Sequence, residues 1–81
     1  MTLERLTELI DEGHEIEYQF NGHKYSITYG TENGKEVISF CEFNQETTEV
    51  ETITELISVN RNGFSVLEMI TSIEEKDIWI F

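Results

Sequence analysis

Three side chains in this sequence are of types that bind metals or act in nucleophilic catalysis: His14, His23 and Cys41. Imidazole and thiolate groups ligate zinc-type ions, and a neighbouring histidine lowers the pKa of a thiol and activates it for attack. Both chemistries require the side chains to converge on one point. Whether they do so depends on the secondary structure that carries them.

Apolar residues alternate on either side of Asn21-Gly22. Asn-Gly between two such runs indicates a two-residue hairpin turn, because both central positions of a type I′ turn need a positive φ. The register that follows pairs Phe20 with His23 and His14 with Tyr29. His23 is therefore expected at the turn and His14 at the open end, roughly 20 Å apart.

A second turn at Asn33-Gly34 predicts a third strand over about Lys35 to Phe43. A two-residue loop pairs Ile27 with Phe40, whereas Cys41 then projects from the opposite face. The three residues before this turn leave room for a bulge, which would change the register. The predicted positions keep the thiol and the two imidazoles apart.

Helices are expected before and after these strands. Leu3 to about Glu12 has one apolar stripe and is preceded by Thr2, a good N-cap residue. Residues 52–55 and 65–68 each have the capping-box pattern that begins a helix, and the first of these helices is expected to end near residue 60. The apolar residues 78–81 predict a short last strand at an unspecified sheet edge.

The sequence thus predicts one α+β domain over residues 1–81, with the order α-β-β-β-α-α-β and helices packed on one face of an antiparallel sheet. The predicted core consists of Leu6, Ile10, Ile16, Tyr18, Tyr25, Ile27, Phe40, Leu56, Leu67 and Ile70.

This layout argues against catalysis. The histidines and the cysteine do not converge, and the five glycines lie at turns or caps and form no phosphate-binding loop. Among 17 acidic residues some close pair is inevitable, so such a pair carries little information. There is little room for a ligand pocket of ~300 Å³ beside the core. We expect no enzymatic activity, no metal and no cofactor.

The chain has a formal net charge of -12, from 17 acidic and 5 basic residues. Nucleic acid and anionic membranes have the same sign of charge and are disfavoured as direct partners. No apolar run reaches the ~20 residues of a membrane helix, and the acidic start is unlike a secretory signal. One cysteine fits a reducing compartment, so we expect a cytoplasmic protein.

The acids are concentrated in two stretches, residues 1–20 and 42–60, each with a net charge of -5, whereas residues 21–41 have none. One interpretation is a solvated, aggregation-resistant surface. The other is a binding face for a basic protein, in its extreme form a decoy that presents carboxylates in place of phosphates to a nuclease or nucleic-acid-binding protein. The candidate interaction residues are Glu4, Glu8, Asp11, Glu12, Glu46 and Glu49.

Self-association is a further expectation. Val37, Cys41 and Phe43 should project from the sheet face opposite the helices, and Trp79 or Phe81 would extend that apolar patch. A patch of this kind favours a weak homodimer, unless the last strand or the chain ends cover it.

Two resemblances accompany these patterns. The small acidic chain with one helix, three strands and two short helices is similar in layout to some phage anti-CRISPR proteins that mimic DNA. The segments Phe20–Ile27 and Ile38–Phe43 resemble small uncharacterised proteins of Gram-positive bacteria. The first resemblance implies an inhibitory role, the second implies no activity, and neither assigns a functional residue.

Overall fold

A computed structural model describes residues 1–81 and confirms the α+β fold with an antiparallel sheet. None of its helices has the length and apolar character needed to cross a bilayer. The elements are α1 (Leu3–Asp11), β1 (Ile16–Phe20), β2 (His23–Glu32), β3 (Lys35–Glu42), β4 (Thr47–Val50), α2 (Ile53–Ile57), β5 (Asn60–Arg61), β6 (Phe64–Ser65), α3 (Val66–Thr71), a 3₁₀ turn (Glu75–Asp77) and β7 (Trp79–Ile80).

The β1–β2 hairpin has the predicted turn and register. Asn21 and Gly22 have φ values of 50° and 81°, and Phe20 pairs with His23. The predicted pairing of His14 with Tyr29 is wrong, because β1 begins only at Ile16. The backbone N–H of His14 donates instead to the carbonyl of Leu9, so His14 belongs to the connection that follows α1.

The β2–β3 hairpin also has the predicted pairing of Ile27 with Phe40. Its ladder continues without interruption to Glu32 and Lys35 next to the turn, so the room left for a bulge is not used. Two long strands therefore form the middle of the sheet.

The full sheet has the order β4-β3-β2-β1-β7. Strand β4 was not predicted, because Thr47–Val50 is short and three of its four residues are polar. A turn with Asn44 at a φ of 70° folds it back onto β3. The last strand joins the β1 edge, where Ile80 pairs with Ile16. With β4 added at the β3 edge and β7 at the β1 edge, the sheet has five strands.

The helices begin at the predicted caps. Thr2 and Thr52 each accept a hydrogen bond from the backbone N–H three residues later, and Ser65 forms a complete capping box with Glu68. At Thr52 the box is incomplete, since the Glu55 carboxylate accepts from the Thr52 hydroxyl rather than from its backbone N–H. Helix α2 ends at residue 57 rather than near 60, because the β5–β6 hairpin follows.

All three helices pack on one face of the sheet, the inner face, and form one core with it. Leu67 was wrongly placed in this core: it is only half-buried, and its neighbours Val66 and Met69 occupy the buried side of α3. The buried residues are Leu6, Leu9, Ile10, Ile16, Tyr18, Tyr25, Ile27, Ile38, Phe40, Leu56, Val66, Met69, Ile70 and Ile78.

No helix packs on the opposite face, which we call the outer face. Alternate strand residues point to it, and none of them belongs to the core cluster. Its members are Glu17, Gln19, Lys24, Ser26, Thr28, Gly30, Glu32, Lys35, Val37, Ser39, Cys41, Thr47, Glu49 and Trp79, with Phe43 and Phe81 beyond the strand ends.

Candidate functional sites

The structure keeps the three potential ligands apart. His14 Nδ1 lies 2.8 Å from the carbonyl oxygen of Phe81, and His23 Nδ1 lies 2.8 Å from Glu42 Oε2. Cys41 Sγ lies on the outer face, 3.2 Å from the Glu42 carbonyl oxygen. No group of three or more His, Cys, Asp or Glu side chains is positioned to hold a metal ion.

His23 takes part in a polar network that sequence reasoning missed. Tyr25 pairs with Glu42 across β2 and β3, so His23, Tyr25 and Glu42 share the inner face at the end of the sheet. Asn62, in the β5–β6 turn, donates its amide to Glu42 Oε1 at 3.0 Å and to the Tyr25 hydroxyl at 2.8 Å. The register predicted from the second Asn-Gly turn already implied the Tyr25–Glu42 pair, but nothing in the sequence placed Asn62 against it.

This network forms one side of a surface depression of about 700 Å³. A second depression, of about 360 Å³, lies beside Trp79. Both depressions exceed the ~300 Å³ for which the sequence predicted little room beside the core. The larger depression has no apolar wall, since it is lined by His23, Glu42, Gln45, Glu46, Arg61 and Asn62.

The chemistry of the larger depression follows from its hydrogen bonds. A carboxylate only accepts, so His23 Nδ1–H donates to Glu42 Oε2, and in the neutral imidazole Nε2 is then the acceptor. An oriented imidazole of this kind is one half of a nucleophile–base pair. The lining contains no serine, threonine, cysteine or lysine to serve as the nucleophile.

Asn62 combines two roles that substitution separates. Its φ of 54° favours asparagine or glycine, and its amide makes both network bonds. We expect Asn62→Gly, which keeps the turn but loses the bonds, to lower the free energy of unfolding by about 1–2 kcal/mol. Asn62→Ala adds backbone strain and should cost about 1 kcal/mol more. Urea denaturation of both variants measures this, and equal losses would show that the turn conformation contributes nothing.

The outer face contains the most exposed large apolar side chains of the protein. Phe43, Trp79 and Phe81 are 41%, 50% and 62% exposed. Lys24 reaches between two of them, with its Nζ 5.1 Å from the Phe43 ring centre and 5.9 Å from that of Trp79. Both distances are typical of cation–π contacts, so Phe43 and Trp79 lie around the same lysine.

The predicted acidic residues lie in separate places. Glu4, Glu8 and Asp11 form an exposed stripe on α1, where Glu8 pairs with Arg5. Glu12 follows α1, with Oε1 3.9 Å from His14 Nε2. The other two predicted residues are not on this stripe: Glu46 lines the larger depression and Glu49 lies on the outer face.

Interaction with the side chain of Glu32, through hydrogen bonding and then through the repulsion between two carboxylates, raises the pKa of Glu49. Next to them, an ion pair of 2.9 Å with Lys35 lowers the pKa of Glu51. The turn end of β2 and β3 is thus an acidic corner of the outer face with one lysine in it.

All five cationic side chains make intramolecular contacts. Arg5 pairs with Glu8 and Glu75, Lys35 with Glu51, and Lys76 with Glu74. Lys24 lies over aromatic rings, as described above, and Arg61 bonds Thr48 and lies over the Phe40 ring. Most of the 17 carboxylates have no Lys or Arg partner, and no charged side chain is buried.

No family model, curated protein or solved structure matches this chain.

Proposed function

We propose that this chain is a non-catalytic protein-binding module whose acidic surface binds a basic protein. One observation carries the proposal: every lysine and arginine is engaged within the molecule, while most carboxylates face solvent unpaired. A basic partner relieves the repulsion between these carboxylates and is steered towards them during encounter. The lone thiol, Cys41, supports a cytoplasmic setting.

Helix α1 supports the proposal best. Its buried residues Leu6, Leu9 and Ile10 hold it on the core, and its acids therefore face away from the molecule. Asp11 lies in its last turn, where the helix dipole disfavours an anion by a few tenths of a kcal/mol. No basic residue lies in that turn to offset the cost. Helix stability therefore does not account for an acid at this position, which favours a role in binding.

A specialised form of this function is inhibition of a nuclease or nucleic-acid-binding protein. The exposed α1 stripe supports it, because carboxylates at helical spacing lie about 5–6 Å apart and present a row of negative charge to a phosphate-binding groove. In this form the captured partner binds DNA, and DNA competes with the module for it.

Matched charge reversals test the proposal. Glu4→Lys with Asp11→Lys alters α1, and Glu46→Lys with Glu49→Lys alters the second group by the same net charge. Each immobilised protein captures binding proteins from lysate at about 0.05 M salt, and the affinity of the captured protein is then measured. We expect the α1 variant to lose at least tenfold in affinity and the other variant to lose less.

Circular dichroism of both variants checks that the fold is intact, and both sets of positions are exposed. Equal losses in the two variants would mean that only net charge matters and that no binding face exists. Capture of no basic protein by the wild type would refute the proposed function.

A further inference from the structure

We propose that the larger depression binds the guanidinium group of an arginine residue. The depression lies where β2 begins, where β3 ends and where the β5–β6 hairpin turns, and no residue of α1 lines it. It is therefore distinct from the acidic stripe that supports the proposed function. Its test uses a small molecule, so either proposal can fail without the other.

Hydrogen-bond acceptors without a partner dominate the lining. In the neutral imidazole of His23, Nδ1–H donates to Glu42, so Nε2 is an acceptor. Asn62 donates its amide N–H groups to Glu42 and Tyr25, which leaves its carbonyl oxygen as a further acceptor. Glu46 is exposed, and its carboxylate has no hydrogen-bond partner within the molecule. A ligand that suits this lining must donate several hydrogen bonds.

The charge of the lining favours a cation. It contains two carboxylates, those of Glu42 and Glu46, and one guanidinium, that of Arg61. The Glu42 side chain is only 15% exposed, and its ion-pair partner is His23 rather than a lysine or arginine. A largely buried carboxylate is unfavourable unless its charge is balanced, and a bound cation balances it.

Arg61 does not take the place that we assign to the ligand. One of its terminal nitrogens donates to the carbonyl of Asn60 and the other to the Thr48 hydroxyl. Its guanidinium carbon lies 5.6 Å from the centre of the Phe40 ring. These contacts direct its charge towards β3 and β4, so it forms no ion pair with either carboxylate of the depression.

A guanidinium suits this site better than a metal ion or an ammonium group does. The acceptors come from three parts of the chain, and no group of three or more His, Cys, Asp or Glu side chains is positioned to hold a metal ion. A guanidinium has five N–H donors in one rigid plane and can bind a carboxylate through two of them while others reach separate acceptors. It is also more weakly hydrated than an ammonium group, which lowers the cost of leaving water.

The depression is largely formed before a ligand arrives. The backbone N–H of Gln45 donates to the Glu42 carbonyl at 2.9 Å and closes the turn after β3. The Cys41 thiol donates to the Gln45 carbonyl at 3.6 Å, and His23 and Asn62 hold the Glu42 side chain from two sides. Little conformational entropy is lost when a ligand enters a site that is already ordered, which favours binding of a single small ligand.

The test titrates the full chain with N-acetyl-arginine amide and follows the binding by NMR. N-acetyl-lysine amide is the matched ammonium probe, since each probe has one positive charge and no carboxylate. Glu46→Gln removes one carboxylate from the depression. Glu15→Gln is the control, because it removes the same charge at an exposed position that does not line the depression. Circular dichroism checks that both variants are folded.

We expect the side-chain amide signals of Gln45 and Asn62 to shift saturably with the arginine probe, with a dissociation constant of about 1–10 mM. The lysine probe should bind at least threefold more weakly. Glu46→Gln should weaken binding of the arginine probe at least threefold, and Glu15→Gln less than twofold.

No saturable shift at Gln45 and Asn62 with up to about 50 mM arginine probe would overturn the inference. Equal affinities for the two probes would overturn it as well, since any cation would then serve. Equal weakening by Glu46→Gln and Glu15→Gln would also do so, because net charge alone would then explain the binding.

Discussion

Replacing Phe40 by alanine is expected to lower the free energy of unfolding by about 3–5 kcal/mol, a large share of the stability of a domain this small. The Phe40 side chain is 0% exposed, and its ring stacks on that of Tyr25 with centres 5.5 Å apart. The Arg61 guanidinium lies over the same ring at 5.6 Å. Alanine leaves a cavity between the sheet and the helices that the short helices cannot close.

Phe43→Ala is the matched control, since it makes the same change three positions away on the outer face. Phe43 is 41% exposed and lies outside the core, so its loss should cost less than about 1 kcal/mol. Urea denaturation compares the two variants. Similar losses at both positions would contradict the assignment of an inner, covered face and an outer, uncovered one.

Removing residues 78–81 is expected to cost about 2–5 kcal/mol, because full burial of one such apolar side chain is worth about 1.5–3 kcal/mol and burial of a second, half-buried one about half as much. Ile78 is buried, and the half-buried Ile80 packs against the core. The deletion also removes β7 from the edge of β1 and the bond from Phe81 N–H to the Glu15 carbonyl. Strand β1 then becomes an open edge, which promotes aggregation.

Denaturation and amide exchange in β1 measure this effect. Trp79→Ser in the full chain is the control, because Trp79 is half exposed on the outer face and its backbone pairing with Glu17 remains. We expect β1 amides to exchange faster in the truncated chain and at the wild-type rate in the control. Unchanged exchange after truncation would show that β7 does not protect β1.

Strong local signals account for the predictions that proved correct. Asn21-Gly22 and Asn33-Gly34 fix two turns at positive φ, and strand alternation then determines which side chains face the core. Thr2 and Ser65 mark helix starts for an equally local reason, because their hydroxyls satisfy free backbone N–H groups.

The errors arise where tertiary contacts decide. Strand β4 is mostly polar and forms because it can pair with the edge of β3, which no sequence periodicity reveals. The predicted pairing of His14 assumed that β1 begins before Ile16, whereas His14 belongs to the connection that follows α1. Leu67 and Val66 both suit the buried side of a short helix, and only the packing of α3 against α1 and α2 selects between them.

The candidate sites divide in the same way. The outer-face patch around Phe43 and Trp79 follows from alternation and could be predicted. The network of His23, Glu42 and Asn62 could not, because it joins the sheet to a hairpin nearly 40 positions further along the chain than His23.

The salt dependence of partner binding tests the proposed function most directly. The wild-type chain captures its basic partner at about 0.05 M salt, and calorimetry then follows the affinity up to about 0.5 M. We predict a steep fall across that range, with a shallower fall for Glu4→Lys with Asp11→Lys. An affinity that stays constant or rises with salt would contradict an acidic binding surface.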